Sequence, residues 1–134
     1  SGSPFTVFYG SNVSNSAGGG TQRPNRIGSG RLSSGQGISH WFDTSAFTAP
    51  ATYTFGNSGT GILVGPGYFN TDLTLVRRFG FGDRFAADVR GKAFNVFNRA
   101  NFNNPNATIG TASAGTISGT SAARILQLAV KLNF

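Results

Sequence analysis

The sequence predicts an all-β protein: an antiparallel sheet of long strands, joined by long loops rich in Gly, Asn and Ser. The chain of 134 residues holds 20 Gly and 13 Phe but neither Met nor Glu, so good helix formers are scarce. Its clearest apolar patterns repeat every second residue, which is the period of a strand. Two of these segments, 84–97 and 124–134, exceed the about five or six residues typical of strands in soluble sheets.

The composition limits the kinds of site and partner. The chain has no Cys, which excludes disulfides and thiolate metal ligands and fits a periplasmic or extracellular protein. The net charge of +7 attracts polyanions, but no basic run exceeds Arg77-Arg78, so we favour scattered cations that keep a β protein soluble. No stretch reaches the roughly 18 apolar residues of a membrane helix. The length predicts one β domain, 1–134.

The first 66 residues are predicted to be mostly loop. Residues 1–10 hold one short strand, within "PFTVFYG" at 4–10, and 11–66 form a long loop region. Residues 11–37 carry almost no large apolar side chain to bury. The stretch that follows brings aromatics at irregular spacing, which indicates side-chain anchors within a loop. The predicted anchors are Trp41, Phe42, Phe47 and Phe55.

Residues 67–134 are predicted to form a β-meander. "GPGYFN" at 65–70 is a predicted turn, and "GFGDR" at 80–84 is a predicted tight hairpin turn. The strand between them has an apolar face that Arg77 interrupts near its end. After the hairpin, small apolar residues alternate with charged ones. The apolar strand face is predicted to comprise Leu73, Leu75, Phe79, Phe85 and Val89.

The chain ends on a strong strand pattern. Residues 98–122 form another polar loop, in which Ile109 and Ile117 mark a brief strand, and 124–134 then alternate between apolar and polar. A tilted membrane-spanning strand needs about 9–11 residues, and alternation with aromatic ends is typical of an outer-membrane barrel. The apolar face of this C-terminal strand comprises Leu126, Leu128, Val130, Leu132 and Phe134.

Residues for catalysis or cofactor binding are sparse. His40 is the only His and the four Asp residues are dispersed, so neither a catalytic triad nor a carboxylate pair is indicated. "GSGRLSSG" and "GTGILVG" fit neither a phosphate-binding loop nor a dinucleotide fingerprint. The sequence therefore predicts a non-enzymatic protein with no catalytic residue, cofactor or metal. A basic nucleic-acid-binding sheet is a less favoured alternative, since cations and aromatics occur together along 77–99.

Several blocks of the chain resemble one family in both sequence and order. They are "PFTV", "GTQRPNRIG", "HWFDTSAF", "YTFGNSG", "GPGYFNTDLTLVRRF", "DRFAADVRGKAFNVFNRANFNNPN" and "RILQLAVKLNF". Together they resemble the C-terminal β-barrel region of TonB-dependent outer-membrane receptors, in the carboxypeptidase-regulatory-domain-bearing group common in acidobacteria. The resemblance implies a location in the bacterial outer membrane or at the extracellular surface. It also implies that the barrel-assembly machinery reads the last strand, which ends at Phe134.

The resemblance also implies that the sheet needs completion. Members of that family close about 22 strands around a plug, far more than this chain supplies. A small sheet of long strands has open edges and an uncovered apolar face. One alternative is a fragment of a receptor for iron chelates or glycans.

The favoured alternative is a structural protein whose copies complete each other's sheets as a filament, tubule or multimeric barrel. It is favoured because uncharged Gly- and Asn-rich loops permit close packing of subunits, and "SGSP" suits a processed start. The expected partners are other copies of the chain and outer-membrane lipid, and nucleic acid is not an expected partner on this interpretation.

Overall fold

A computed structural model describes all 134 residues, which form two compact units. Unit 1 comprises Ser1–Gly67 and Phe102–Gly119, and unit 2 comprises Tyr68–Asn101 and Thr120–Phe134. The chain is all-β apart from one 3₁₀ turn at Thr44–Ala46, which confirms the predicted fold class. The assignment of 1–134 to a single domain stays a prediction.

Unit 1 contains three small two-stranded sheets. Its longer connections are held by backbone hydrogen bonds between loops, such as the one from Ile117 N–H to the Ile38 carbonyl (2.7 Å). Two of the sheets are antiparallel and one is parallel. The antiparallel pairs are β1 (Gly2–Phe5) with β5 (Leu63–Gly67) and β3 (Asn25–Arg26) with β4 (Phe47–Thr48), and the parallel pair is β2 (Phe8–Tyr9) with β8 (Thr108–Ile109).

Aromatic side chains fill the core of unit 1. The Phe42 ring centroid lies 5.7 Å from that of Phe5 and 6.0 Å from that of Phe47, in tilted and edge-to-face geometries that favour aromatic pairs. Burial of these rings stabilises connections that have little regular structure of their own. The buried cluster consists of Phe5, Val7, Phe42, Ala46, Phe47, Leu63 and Ile109.

The structure differs from the sequence prediction at several places in unit 1. Gly65–Gly67, predicted to start a turn, belongs to β5, and the predicted 11–66 loop region also contains β3 and β4. β5 can accommodate Pro66 because it pairs with a neighbouring strand on one side only. On the unpaired side of an edge strand, the missing N–H of a Pro removes no hydrogen bond of the sheet. Ile109 lies in β8 as expected, whereas Ile117 is buried outside any strand.

Unit 2 is a three-stranded antiparallel sheet in the order β6–β7–β9. Its strands are β6 (Leu73–Phe81), β7 (Phe85–Phe94) and β9 (Ile125–Asn133). Gly82 makes the short β6–β7 turn possible, since its φ of +69° is costly for residues that carry a Cβ. The only buried residues in this unit are Ala87, Asn95 and Asn101, so the sheet has no apolar core of its own.

We predict that Phe42→Ala lowers the free energy of unfolding of unit 1 by about 3–5 kcal/mol, because it removes the central ring of the core. Urea unfolding followed by the fluorescence of Trp41, the single Trp of the chain, measures this change. Phe55→Ala is the control: its side chain is 76% exposed, and we expect a change within about 0.5 kcal/mol. Equal losses in the two variants would contradict the assigned core.

Candidate functional site

The register of unit 2 places most apolar strand residues, including every strand Leu, on one face of the sheet, while Val76, Phe94 and Ile125 lie on the other. Leu75 pairs with Gly91, which pairs with Leu128, and this row is flanked by similar rows two residues away on each side. Since side chains two residues apart share a face, the whole set follows from the pairing. We define the apolar face as Leu73, Leu75, Arg77, Phe79, Phe81, Phe85, Ala87, Val89, Gly91, Ala93, Leu126, Leu128, Val130 and Leu132.

The apolar face is exposed. Leu128 is 79% exposed, Leu126 and Leu75 are each 71% exposed, and no second layer of the unit covers them. A contiguous exposed apolar surface of this kind marks a contact site for lipid or protein. All the predicted strand-face and C-terminal strand residues from Leu73 to Leu132 lie together on this face, and Phe134 follows β9 at 95% exposure.

Aromatic side chains flank the aliphatic part of the sheet at both ends. At the turn end, Phe81 pairs directly with Phe85, and the two are 63% and 60% exposed. At the other end, the Phe69 and Phe97 rings lie 6.1 Å apart, and the Arg99 guanidinium carbon lies 5.7 Å from the Phe69 centroid. The aliphatic residues therefore form a band between two aromatic borders.

Arg77 is the one charged residue on the apolar face. It lies at the middle of β6, in register with Val89 of β7, which in turn pairs with Val130 of β9. Its guanidinium carbon lies 5.2 Å from the Phe79 ring centroid, within range of a cation–π contact. The sequence pattern had already singled it out as an interruption, and the structure shows no ion-pair partner for it.

The opposite face is polar and basic. Arg78 lies 3.5 Å from the Asp88 carboxylate, which also accepts a hydrogen bond from the Asn133 amide (3.4 Å). The remaining cations of this face have no carboxylate within ion-pair distance. The charged residues of the polar face are Arg78, Asp88, Arg90, Lys92 and Lys131.

Both edges of the sheet are open. β6 and β9 each pair only with β7, so each presents a row of backbone N–H and C=O groups along its outer side. Such edges pair readily with further strands, and long, flat, apolar ones are prone to do so. The sheet thus lacks cover at two edges and over one face.

Buried Asn side chains fix the loop end of the sheet. The Asn95 amide donates to the carbonyls of Arg99 (3.0 Å) and Ala122 (3.2 Å), while its own backbone N–H donates to the Asp72 carboxylate (3.0 Å). Asn101 bridges both backbone groups of Phe69, at 2.9 and 2.8 Å. Sequence reasoning missed these roles, although the recurrent Asn in "FNVFNRANFNN" was the available signal.

The predicted loop anchors behave in two ways. Phe42 and Phe47 are buried in the core of unit 1, and the half-buried Trp41 donates its indole N–H to the Val64 carbonyl (3.0 Å). Phe55, also expected to be an anchor, is instead exposed, because its segment passes outside the aromatic cluster. Irregular aromatic spacing could not distinguish the buried rings from the exposed one.

Groups for metal or acid–base chemistry do not converge. No three His, Asp or Glu side chains gather at one place, and exposed His40 lies in an isolated bridge with Gly37. No helix in the structure has the length and apolar character needed to cross a membrane. The non-enzymatic, cofactor-free assignment stays a prediction.

Comparison with known families gives one match. Residues 1–127 match the family model described as Outer membrane beta barrel domain, which covers nearly the whole chain. Comparison with curated proteins and with solved structures gives no match.

We predict that Asn95→Ala destabilises the loop end of unit 2 by about 2–3 kcal/mol, because it removes three side-chain hydrogen bonds, one of them accepted from the Arg99 N–H, and puts an alanine at φ +51°. Asn95→Gly loses the same bonds but tolerates the positive φ, so its loss should be smaller by about 1 kcal/mol. Amide hydrogen exchange in detergent micelles measures both at Val96, whose N–H donates to the Thr71 carbonyl (2.9 Å) and keeps this acceptor in either variant. A Gly variant no better than the Ala variant would contradict the backbone part of this account.

Proposed function

Since the chain belongs to the family of outer membrane beta barrel domains, we propose that unit 2 is a section of barrel wall in a receptor of the TonB-dependent type. The family match confirms the predicted barrel class and the bacterial outer-membrane location. The finer assignment rests on the blocks that resemble such receptors, above all "RFAADVRGKAFNVFNRANFNNPN" and the last strand. These blocks form β7, the loop after it that is held by the side chains of Asn95 and Asn101, and β9.

The observation that carries the proposal is the exposed apolar face of a sheet that has no core. In the proposal, lipid acyl chains cover this face, because a membrane barrel presents apolar side chains outward and polar ones inward along every strand. β6 and β9 have 9 residues each and β7 has 10. At about 3.4 Å per residue and a tilt of about 40°, such strands cross an apolar band of about 25 Å.

The polar face then lines the lumen. Its cations and the Arg78–Asp88 pair are expensive to place in hydrocarbon but are well solvated in a water-filled interior. In this arrangement the aromatic borders lie at the two membrane interfaces, where aromatic girdles of barrels are found.

The lengths of the connections indicate which end of the sheet faces which side of the membrane. Barrels have short periplasmic turns and longer extracellular loops. The β6–β7 connection spans only 82–84, whereas the β7–β9 connection spans 95–124. We therefore assign the turn, together with Phe134 beside it, to the periplasmic side, which is also where an assembly signal at Phe134 has to be read.

The proposed role is non-catalytic. A complete barrel of this type takes up a nutrient such as an iron chelate or a glycan, and the chain contributes wall and loops to that route. The register gives nucleic-acid binding little support, since Phe79 and Phe85 lie on the apolar face whereas Arg78, Arg90 and Lys92 lie on the opposite one. Phe94 is the one aromatic strand residue on the basic face, so most stacking contacts would fall on the other side of the sheet from the phosphate contacts.

Self-assembly is a second candidate, and the two open edges favour it. Copies that pair β6 of one chain with β9 of the next would satisfy the outer backbone groups of both. Closure of such pairing gives a multimeric barrel, and pairing without closure gives a filament or tubule. Both candidates need the edges completed, but they differ in what completes them.

Environment-sensitive labels on β9 test the proposal. The chain has no Cys, so single-Cys variants at successive positions 126–131 each carry one fluorophore. In phospholipid vesicles we expect labels at positions 126, 128 and 130 to be quenched by brominated acyl chains, and labels at 127, 129 and 131 to be quenched by aqueous iodide instead. The reason is the two-residue period of the strand.

Loss of this alternation in vesicles would contradict a lipid-facing wall. The mass of the same samples, from sedimentation in density-matched detergent, decides between the candidates. Closed or extended multiples of the 13.9 kDa chain favour self-assembly, whereas a 13.9 kDa species that pairs only with added receptor strands favours the receptor wall.

We predict that Arg77→Leu stabilises the membrane-inserted protein by about 2–4 kcal/mol, because a cation at mid-strand on a lipid-facing surface is costly there. Urea unfolding from vesicles measures the change. Arg90→Leu is the matched control, since it makes the same replacement on the polar face and should give no gain. A loss of stability in Arg77→Leu would mean that protein with an acidic group, rather than lipid, covers this part of the face.

A further inference from the structure

Unit 1 contains a cleft that the barrel assignment does not use. Its volume is about 340 Å³, near the lower end of the about 300–1,000 Å³ typical of small-molecule sites. The space suits a compact molecule with one ring better than a segment of polymer. The cleft is lined chiefly by Arg31, Leu32, Gln36, Trp41, Phe42 and Leu63.

The walls of the cleft are fixed in position. The Trp41 indole N–H donates to the Val64 carbonyl (3.0 Å), and the Gln36 amide donates to the Trp41 carbonyl (2.9 Å), so the indole is held by its ring and by its backbone. Gly30, at φ +72°, allows the chain to pass so close to Phe47 that a Cβ would lie 2.7 Å from the ring. A preformed cleft avoids most of the ordering cost of binding.

The lining combines an apolar interior with one free cation. Phe42 and Leu63 belong to the buried core behind the cleft and are each 2% exposed, while the partly buried Leu32 and Trp41 present apolar and aromatic surface to it. Arg31 lies at the exposed rim, and its guanidinium has no hydrogen-bond or ion-pair partner in the structure. No carboxylate lines the cleft, so the site has a net positive charge.

We propose that this cleft binds a small aromatic anion: the ring contacts Trp41 and Leu32, and the carboxylate or phosphate group pairs with Arg31. Guanidinium groups bind carboxylates and phosphates through paired, charge-assisted hydrogen bonds. Aromatic rings pair well with the indole of a fixed Trp. All the lining residues belong to unit 1, so the proposal does not depend on whether unit 2 faces lipid.

Trp41 provides the test, because it is the only Trp in the chain and lies in the cleft wall. The full-length chain is titrated with sodium benzoate and with phenyl phosphate, and benzyl alcohol serves as the neutral analogue of the same ring. We expect both anions to give a saturating change in Trp41 fluorescence and benzyl alcohol to bind at least about tenfold more weakly, since it lacks a charge for Arg31.

Two Arg variants separate recognition from bulk charge. Arg31→Gln should weaken the binding of benzoate about tenfold and leave that of benzyl alcohol unchanged. Arg77→Gln makes the same change of charge in unit 2 and should leave both affinities unchanged. Arg31 is exposed, so its replacement should preserve the fold, which far-ultraviolet circular dichroism checks. If unmodified protein shows no saturating response, or if both variants lose equal affinity, the assignment of the cleft is overturned.

Discussion

The cross-strand register of β6, β7 and β9 is the constraint on which the account of unit 2 depends. Because a strand alternates its side chains with period two, one fixed pairing assigns every residue of all three strands to a face. A slip of one residue in β9 would place Gln127, Ala129 and Lys131 on the face that carries the leucines of β6, and polar side chains would then interrupt the apolar surface. The observed register instead brings every strand Leu to one face and leaves Arg77 as the one charged residue there.

The same register leaves the sheet without any means of covering itself. Its buried residues are one Ala and two Asn, so hydrophobic burial within the unit contributes almost nothing to its stability. Hydrogen bonds at the loop end, centred on Asn95 and Asn101, fix how the chain enters and leaves the strands, but they do not cover a face. Unit 1 differs in its source of stability, since aromatic rings are buried there among loops and short strands.

The long strands could be predicted from the sequence, because alternation over nine or more residues has few other structural explanations. The predicted segments 84–97 and 124–134 contain β7 and β9, and the apolar faces were assigned residue by residue. Unit 1 could be predicted much less well. Its strands of two residues arise from long-range contacts, such as the parallel pairing of β2 with β8, that leave no local period.

Particular residues show where local rules fail. Pro66 lies in "GPGYFN", which was predicted to be a turn, yet an edge position in a two-stranded sheet accommodates it. Phe55 and Phe42 have equal intrinsic tendencies to be buried, and only the path of the chain decides that one is exposed. The cleft beside Trp41 depends on Gly30 and Leu63, which lie 33 residues apart in the sequence and meet only in the folded unit.

Amide hydrogen exchange of the outer edges of β6 and β9, resolved by residue in phospholipid bilayers, tests the central claim most directly. The claim is that this sheet is an incomplete barrel wall, and that its edges pair with further strands in the functional protein. The account predicts that amides pointing away from β7 are protected as strongly as those that bond to it. Outer amides that exchange at the rate of free peptide, in protein whose β7 amides stay protected, would contradict it.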